Sequence, residues 1–138
     1  VSASPLEKTV NVQAITPNLI VNNIEVSLEF YRQLGFELTM HVPEERPYVF
    51  AGVAAGSAQI FLNDKKAFGP ELPPWARARG GALTLYIKLE GFDEVLKIAR
   101  DRKMKFIQEP ETQFYGMREF AVEDPDGFVL TFAEEVKK

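Results

Sequence analysis

The sequence predicts an α+β fold made of two βαβββ modules, and three observations lead there. A strand–helix unit opens the chain and a second begins at Gly81. A strand, a tight turn and a returning strand close it in consecutive residues, 113–135. An internal repeat on this scale points to duplicated supersecondary units sharing one core. The 138 residues suit one compact domain.

Residues 1–9 mix Ser, Pro, Glu and Lys with little apolar content and read as a flexible tail. The domain is placed at 10–138, with modules at about 10–63 and 81–138 and a linker over 64–80. The first strand is expected from residue 10 or 12 to 21, interrupted by Pro17. Proline cannot donate to a ladder, so this strand belongs at an edge or bends there. Asn22 and Asn23 offer caps to a following helix, with Glu25 placed to reach back as in a capping box. Ile24, Leu28, Tyr31 and Leu34 recur at helical spacing, and Gly35 stands where a left-handed terminating residue is wanted.

Three strands are expected next, over 36–42, 48–53 and 57–62, the last two joined by a short reversal at Ala54-Ala55-Gly56. From 63 to 80 the pattern breaks, with Pro70, Pro73 and Pro74 ahead of Trp75. Leu83, Leu85, Ile87 and Leu89 then alternate as a strand, and Phe92, Val95, Leu96 and Ala99 follow at helical spacing. Lys97, Arg100, Arg102, Lys103 and Lys105 gather at that helix's end, where cations oppose the negative pole of the dipole; the cluster reads as structural. In the closing hairpin Phe120 and Val122 alternate with Glu119, Ala121 and Glu123. Asp124-Pro125-Asp126-Gly127 supplies the turn, and Phe128, Leu130 and Phe132 return.

Composition narrows the chemistry. The chain has no cysteine and a single histidine, His41, which removes disulfides, thiolate sites and most triad and zinc chemistry. Net charge is −4, and between Glu109 and Glu135 the acidic Glu109, Glu111, Glu119, Glu123, Asp124, Asp126, Glu134 and Glu135 stand against Arg118 alone. That excess would repel a phosphate backbone, so no nucleic-acid partner is expected, while a cationic small ligand would be attracted. No apolar run spans a bilayer and the first residues lack a signal peptide's order, so no membrane partner and a cytoplasmic location are expected.

Two runs carry a family resemblance. Residues 17–36, with Ser27-x-x-Phe30-Tyr31 and Leu34-Gly35-Phe36, and the run Tyr115-Gly-Met-Arg-Glu-Phe120 followed by Asp124-Pro-Asp-Gly127 together resemble the glyoxalase / bleomycin-resistance / dioxygenase superfamily, the vicinal oxygen chelate fold. The resemblance covers about 12–135 and is nearest to the bleomycin-binding proteins. It implies a half-open, cup-shaped mixed β-sheet with the helices outside. It also implies a homodimer in which the first strand can cross to the partner.

Enzymes of that superfamily commonly hold a divalent metal through one side chain on each of four strands. Carried over by offset, the positions fall on Thr16, Phe61, Ala82 and Thr131, none a competent ligand. The resemblance therefore implies neither metal nor cofactor, and no catalytic residue is assigned. His41 reads as a strand-edge residue. The lining of the cup is expected to include Gln59, Phe61, Ala82, Thr84, Tyr86, Val129, Thr131 and Ala133. Candidate ligand contacts are Tyr115, Phe61, Tyr48, Tyr86, Gln59, Trp75 and Glu119, with Met40 and Phe50 as further apolar faces. Tyr115 leads, because the matching position in the bleomycin-binding proteins holds a tryptophan that stacks on the drug. The function expected is binding and sequestration of a small aromatic or cationic compound, as in bleomycin resistance. The alternatives are a lyase, isomerase or dioxygenase-type activity using Glu119 with a bound water, and a ligand sensor.

Overall fold

The computed structural model describes residues 13–72 and 83–137. Each module is one four-stranded mixed sheet. The first holds β1 (Asn18–Val21), β2 (Glu37–Val42), β3 (Phe50–Ala55) and β4 (Ala58–Asp64) in the order β1-β4-β3-β2. The second holds β5 (Leu85–Lys88), β6 (Lys105–Thr112), β7 (Met117–Glu123) and β8 (Val129–Glu135) in the order β5-β8-β7-β6. In both, the first and last strands of the module run parallel and the other pairs antiparallel. Helices α1 (Ile24–Gln33) and α2 (Phe92–Asp101) follow the first strand of each module. A 3₁₀ turn, Lys65–Phe68, begins the linker.

The first strand is shorter than the sequence suggests. Pro17 does not interrupt β1 but precedes it, and its carbonyl accepts from the Phe61 amide at 2.9 Å, so the ladder starts where N–H donors become available. The strand lies at a sheet edge. α1 is capped by Asn23, whose side chain accepts from the Glu25 and Val26 amides. The capping box does not form, because Glu25 stands two residues after the cap instead of three and pairs with Arg46. Asp64 at the end of β4 accepts from the Ile24 amide at 3.2 Å, and Glu134 near the end of β8 does the same for Phe92 at 2.8 Å. The repeat is thus visible in its helix caps as well as its strands. Gly35 and Gly127 take φ of 95° and 91°, the left-handed conformations their places in a helix terminus and a turn require.

Alternation sorts the core. Ala51, Val53, Ile60 and Leu62 of the first sheet and Phe120, Val122, Leu130 and Phe132 of the second are buried together with Ile24, Tyr31 and Phe92 of the helices. Phe120 is its aromatic centre, 5.2 Å from Phe92, 5.6 Å from Phe106 and 5.2 Å from Phe132 between ring centroids. The modules are also tied by polar groups. The Asp124–Gly127 turn of the second module lies against α1 of the first. There Asp126 accepts from the Asn22 amide at 2.8 Å and the Ser27 hydroxyl at 3.2 Å, and Asp124 accepts from the Tyr31 hydroxyl at 2.8 Å. The face of each sheet away from its helix, its open face, exposes Met40, Val42 and Tyr86, while Glu119, Ala121, Thr131 and Ala133 on the same side of β7 and β8 are buried.

Three of the five basic residues gathered within and just after the last turns of α2 form ion pairs with nearby carboxylates. Lys97 meets Asp101, Arg100 meets Glu109, and Lys105 meets Glu123. No helix among the described residues is long and apolar enough to cross a membrane.

Candidate functional site

The open face of the second sheet carries a buried carboxylate. Glu119 on β7 is 4% exposed although it points away from the core, as its pairing with Ala133 and its alternation with Phe120 require. Two phenols converge on its Oε2: Tyr86 donates at 2.5 Å and Tyr115 at 2.8 Å.

Topology makes this meeting possible. Tyr86 stands on β5 and Glu119 on β7, with β8 between them. Two strand spacings, about 10 Å, separate their backbones. A tyrosine and a glutamate reaching toward one another close that gap only by passing over β8, whose residue opposite Glu119 is the fully buried Ala133. Tyr115 arrives from the other side, on a turn whose Gly116 has φ of 86° and which folds the ring back over the start of β7. The Tyr86 hydroxyl is pushed up to about 12, first by desolvation and then by the hydrogen bond to Glu119. Tyr115 is raised as well, chiefly by its bond to the same carboxylate. Both therefore stay neutral donors at physiological pH. Their rings remain half open, 50% exposed for Tyr86 and 53% for Tyr115.

Around this centre, Thr84 donates to the Val129 carbonyl and shares a hydrogen bond with Thr131. Glu111 lies directly opposite Glu119 on β6 and forms no ion pair among the described residues, an arrangement that costs stability in a sheet. Gln108, also on β6 and opposite Ala121, has an amide nitrogen sealed from solvent with no acceptor. On the first sheet, Phe61 and Phe50 pack on the open face at 5.2 Å. Gly52 lies between Met40 and Phe61, and a Cβ there would come within 2.7 Å of the Met40 side chain. A cleft of about 320 Å³ runs along the seam of the two sheets, bringing Gln59 and Thr16 beside Thr84 and Tyr86. A second hollow of about 310 Å³, between α1 and β2, is rimmed by the Arg32–Glu29 and Arg46–Glu25 pairs, whose charges are already matched.

The candidates thus divide. Tyr86, Tyr115 and Glu119 come together, Gln59 joins Tyr86 at the seam cleft, and Phe61 lies on the open face of the first sheet. Glu119, counted in the sequence within the acidic excess of 109–135, is a buried acceptor. Tyr48 stands apart. It is 9% exposed, stacked on His41 at 4.4 Å with the Arg46 guanidinium 4.9 Å from its ring, and so presents no free face. His41 is occupied there too, its Nδ1 3.0 Å from the Pro43 carbonyl. Trp75 and Ala82 lie outside the described residues. Gln108 is not among the residues the sequence points to; the polar pair Gln108-Glu109 between Ile107 and Pro110 is the one local sign it leaves.

The described residues do not fit a divalent metal at the offset positions. Phe61 has no donor atom, Thr131 spends its hydroxyl on Thr84, and no group of three or more His, Asp or Glu among the described residues could hold one.

Comparison with known proteins places the fold. The model of the Glyoxalase/Bleomycin resistance protein/Dioxygenase superfamily matches residues 12–132. Among solved structures, TioX from Micromonospora sp. ML1 superposes with a TM-score of 0.71 at 16% identity, over 91% of this chain and 100% of that one. A superfamily member from Sphaerobacter thermophilus DSM 20745 does so at 0.70 and 25% identity, over 91% and 98%. A bleomycin resistance determinant encoded on the transposon Tn5 reaches 0.65 at 19% identity, over 90% and 98%. No curated protein matches the chain in sequence.

Proposed function

Because this chain belongs to the Glyoxalase/Bleomycin resistance protein/Dioxygenase superfamily, we propose that it binds a small aromatic or cationic molecule on the open faces of its sheets and holds it without chemical change. The observation that carries the reading is the convergence of two half-exposed tyrosine rings on one buried carboxylate. Tyr86 and Tyr115 supply flat apolar surface, Glu119 fixes their orientation, and Phe61 and Gln59 extend the surface toward the seam. Binding sites of this kind are largely apolar with a few fixed polar groups. The fold shared with a bleomycin resistance determinant supports sequestration as the purpose.

The test is a thermal-shift screen against glycopeptide antibiotics and aromatic amines, followed by mass spectrometry of the bound compound. A hit recovered unaltered in stoichiometric amount is expected; recovery of a converted product would replace sequestration by catalysis, with Glu119 as the available base. For such a hit, Tyr115→Ala should weaken binding several-fold and Tyr115→Trp should preserve it, since stacking contributes roughly 0.5–1.5 kcal/mol beyond burial.

We also propose that the chain works as a homodimer. The open faces expose Met40, Val42 and Tyr86, and Phe114 at the hairpin tip is 98% exposed. Apolar surface of this kind is what a symmetric partner would cover. Sedimentation at micromolar concentration should show a dimer, and a single monomer boundary at every concentration would refute it.

A further inference from the structure

We propose that the cleft at the seam of the two sheets binds an uncharged amide compound of about dipeptide size, held by hydrogen bonds to the main chains of Gln59 on one wall and Tyr86 on the other. The inference rests on the preceding reading, in which both residues are ligand contacts. It adds a neutral class of ligand that needs no contact with Glu119.

The first wall is a strand edge that a proline leaves open. In β4 the Phe61 amide donates to the Pro17 carbonyl, so alternation turns the N–H and C=O of Gln59 to the same side. One further step of this parallel ladder would need the residue at 17 to donate to the Gln59 carbonyl, and Pro17 has no N–H to give. Among the described residues nothing else bonds to the Gln59 main chain on that side. The second wall is β5, the edge of its own sheet. There the Leu89 amide donates to the Ala133 carbonyl on β8, so Ile87 and Leu85 also turn their main chains toward β8. Tyr86, between them, turns its N–H and C=O outward.

Both edges line the one cleft of about 320 Å³. A dry cavity of about 150 Å³ accommodates benzene, so this cleft takes a molecule roughly twice that size. Strand edges that stay unpaired in folded proteins commonly carry charges. No Asp, Glu, Lys or Arg is among the described residues that line this cleft, and Ile15, Phe36, Ile60, Leu85 and Ile87 make its walls largely apolar. Such walls disfavour an ion, while outward N–H and C=O groups call for a partner holding both acceptors and donors, as in strand addition to a sheet edge. Successive residues of an extended chain present these groups to opposite sides. Two linked residues are therefore the shortest unit that reaches Gln59 and Tyr86 together.

Three probes, titrated with amide NMR detection, test this. N-acetyl-L-alanyl-L-leucine N′-methylamide carries the two residues without charge. Its analogue methylated at the alanine and leucine nitrogens lacks the two donors, and 2-phenylethylamine is an aromatic cation without amides. The dipeptide should shift the Gln59 and Tyr86 amides saturably, and its methylated analogue should bind at least about tenfold more weakly, as the loss of two hydrogen bonds implies. Pro17→Ala should weaken the dipeptide several-fold, because the new amide at 17 donates to the Gln59 carbonyl the ligand would use. Should that variant fail to fold, the two dipeptides on the unsubstituted protein decide alone. Equal binding of the two dipeptides, undiminished binding by Pro17→Ala, or saturable shifts with 2-phenylethylamine alone overturns the inference and leaves the ligand surface standing. Absence of saturable shifts with all three probes at millimolar concentration overturns both.

Discussion

Replacing Asp124 with alanine is expected to destabilise the protein by about 3 kcal/mol, because three donors lose one buried acceptor. The Tyr31 hydroxyl bonds Oδ2, and the Asp126 and Phe128 amides bond Oδ1. Tyr31 is fully buried under α1, its phenol held far above the ordinary range by desolvation and then by the Asp124 charge, so it stays a neutral donor needing an acceptor. The pH dependence identifies the mechanism. Burial raises the Asp124 carboxyl above its usual 3.8, outweighing the hydrogen bonds that favour the charged form. A raised folded-state pKa means that the folded protein binds the proton more tightly than the unfolded chain. The stability it contributes is full below the ordinary carboxylate value and is lost as pH rises through the raised one. The gap between wild type and Asp124→Ala in urea melts should therefore widen as pH falls from neutral. A gap that narrows would show that hydrogen bonding to the charged form outweighs burial.

Phe120→Ala should cost roughly 3–5 kcal/mol, the range for removing a fully buried aromatic ring. Its ring contacts three other aromatics, from α2, β6 and β8, so no single neighbour can close the space. The loss should not stay in the second module. One core runs through both sheets, and the Asp124–Gly127 turn holds α1. Native-state hydrogen exchange on the variant should therefore show β3 and β4 losing protection together with β7 and β8. Unchanged exchange in the first sheet would mean that the modules open independently.

The features legible in the sequence are those written in neighbouring residues. Asn23 before Ile24, Gly35 after the helix and Asp124-Pro-Asp-Gly127 before Phe128 each appear in place, because caps and turns are decided within a few residues. Alternation across Glu119–Glu123 already put Glu119 on the face opposite Phe120. Its burial was not legible, since it depends on Tyr86, 33 positions away and brought near only by the β5-β8-β7 order. The docking of the turn on α1 was hidden likewise, by separations of 93 to 104 residues. Tyr48 looked like a ligand face because nothing local announces that His41 and Arg46 cover it. Gln108 lies in a strand whose register shifts blur the two-residue period.

The two phenols on Glu119 also give the protein an optical readout. Two of its four tyrosines donate to a single carboxylate, and that contact makes both harder to ionise. A positive charge set beside Glu119 offsets the carboxylate's field, so phenolate forms at lower pH when the face is occupied. An alkaline titration followed by ultraviolet absorbance would then move toward neutrality on adding a cationic compound, whereas a neutral one, which only deepens the desolvation, would not move it that way, so the direction reports charge without a label.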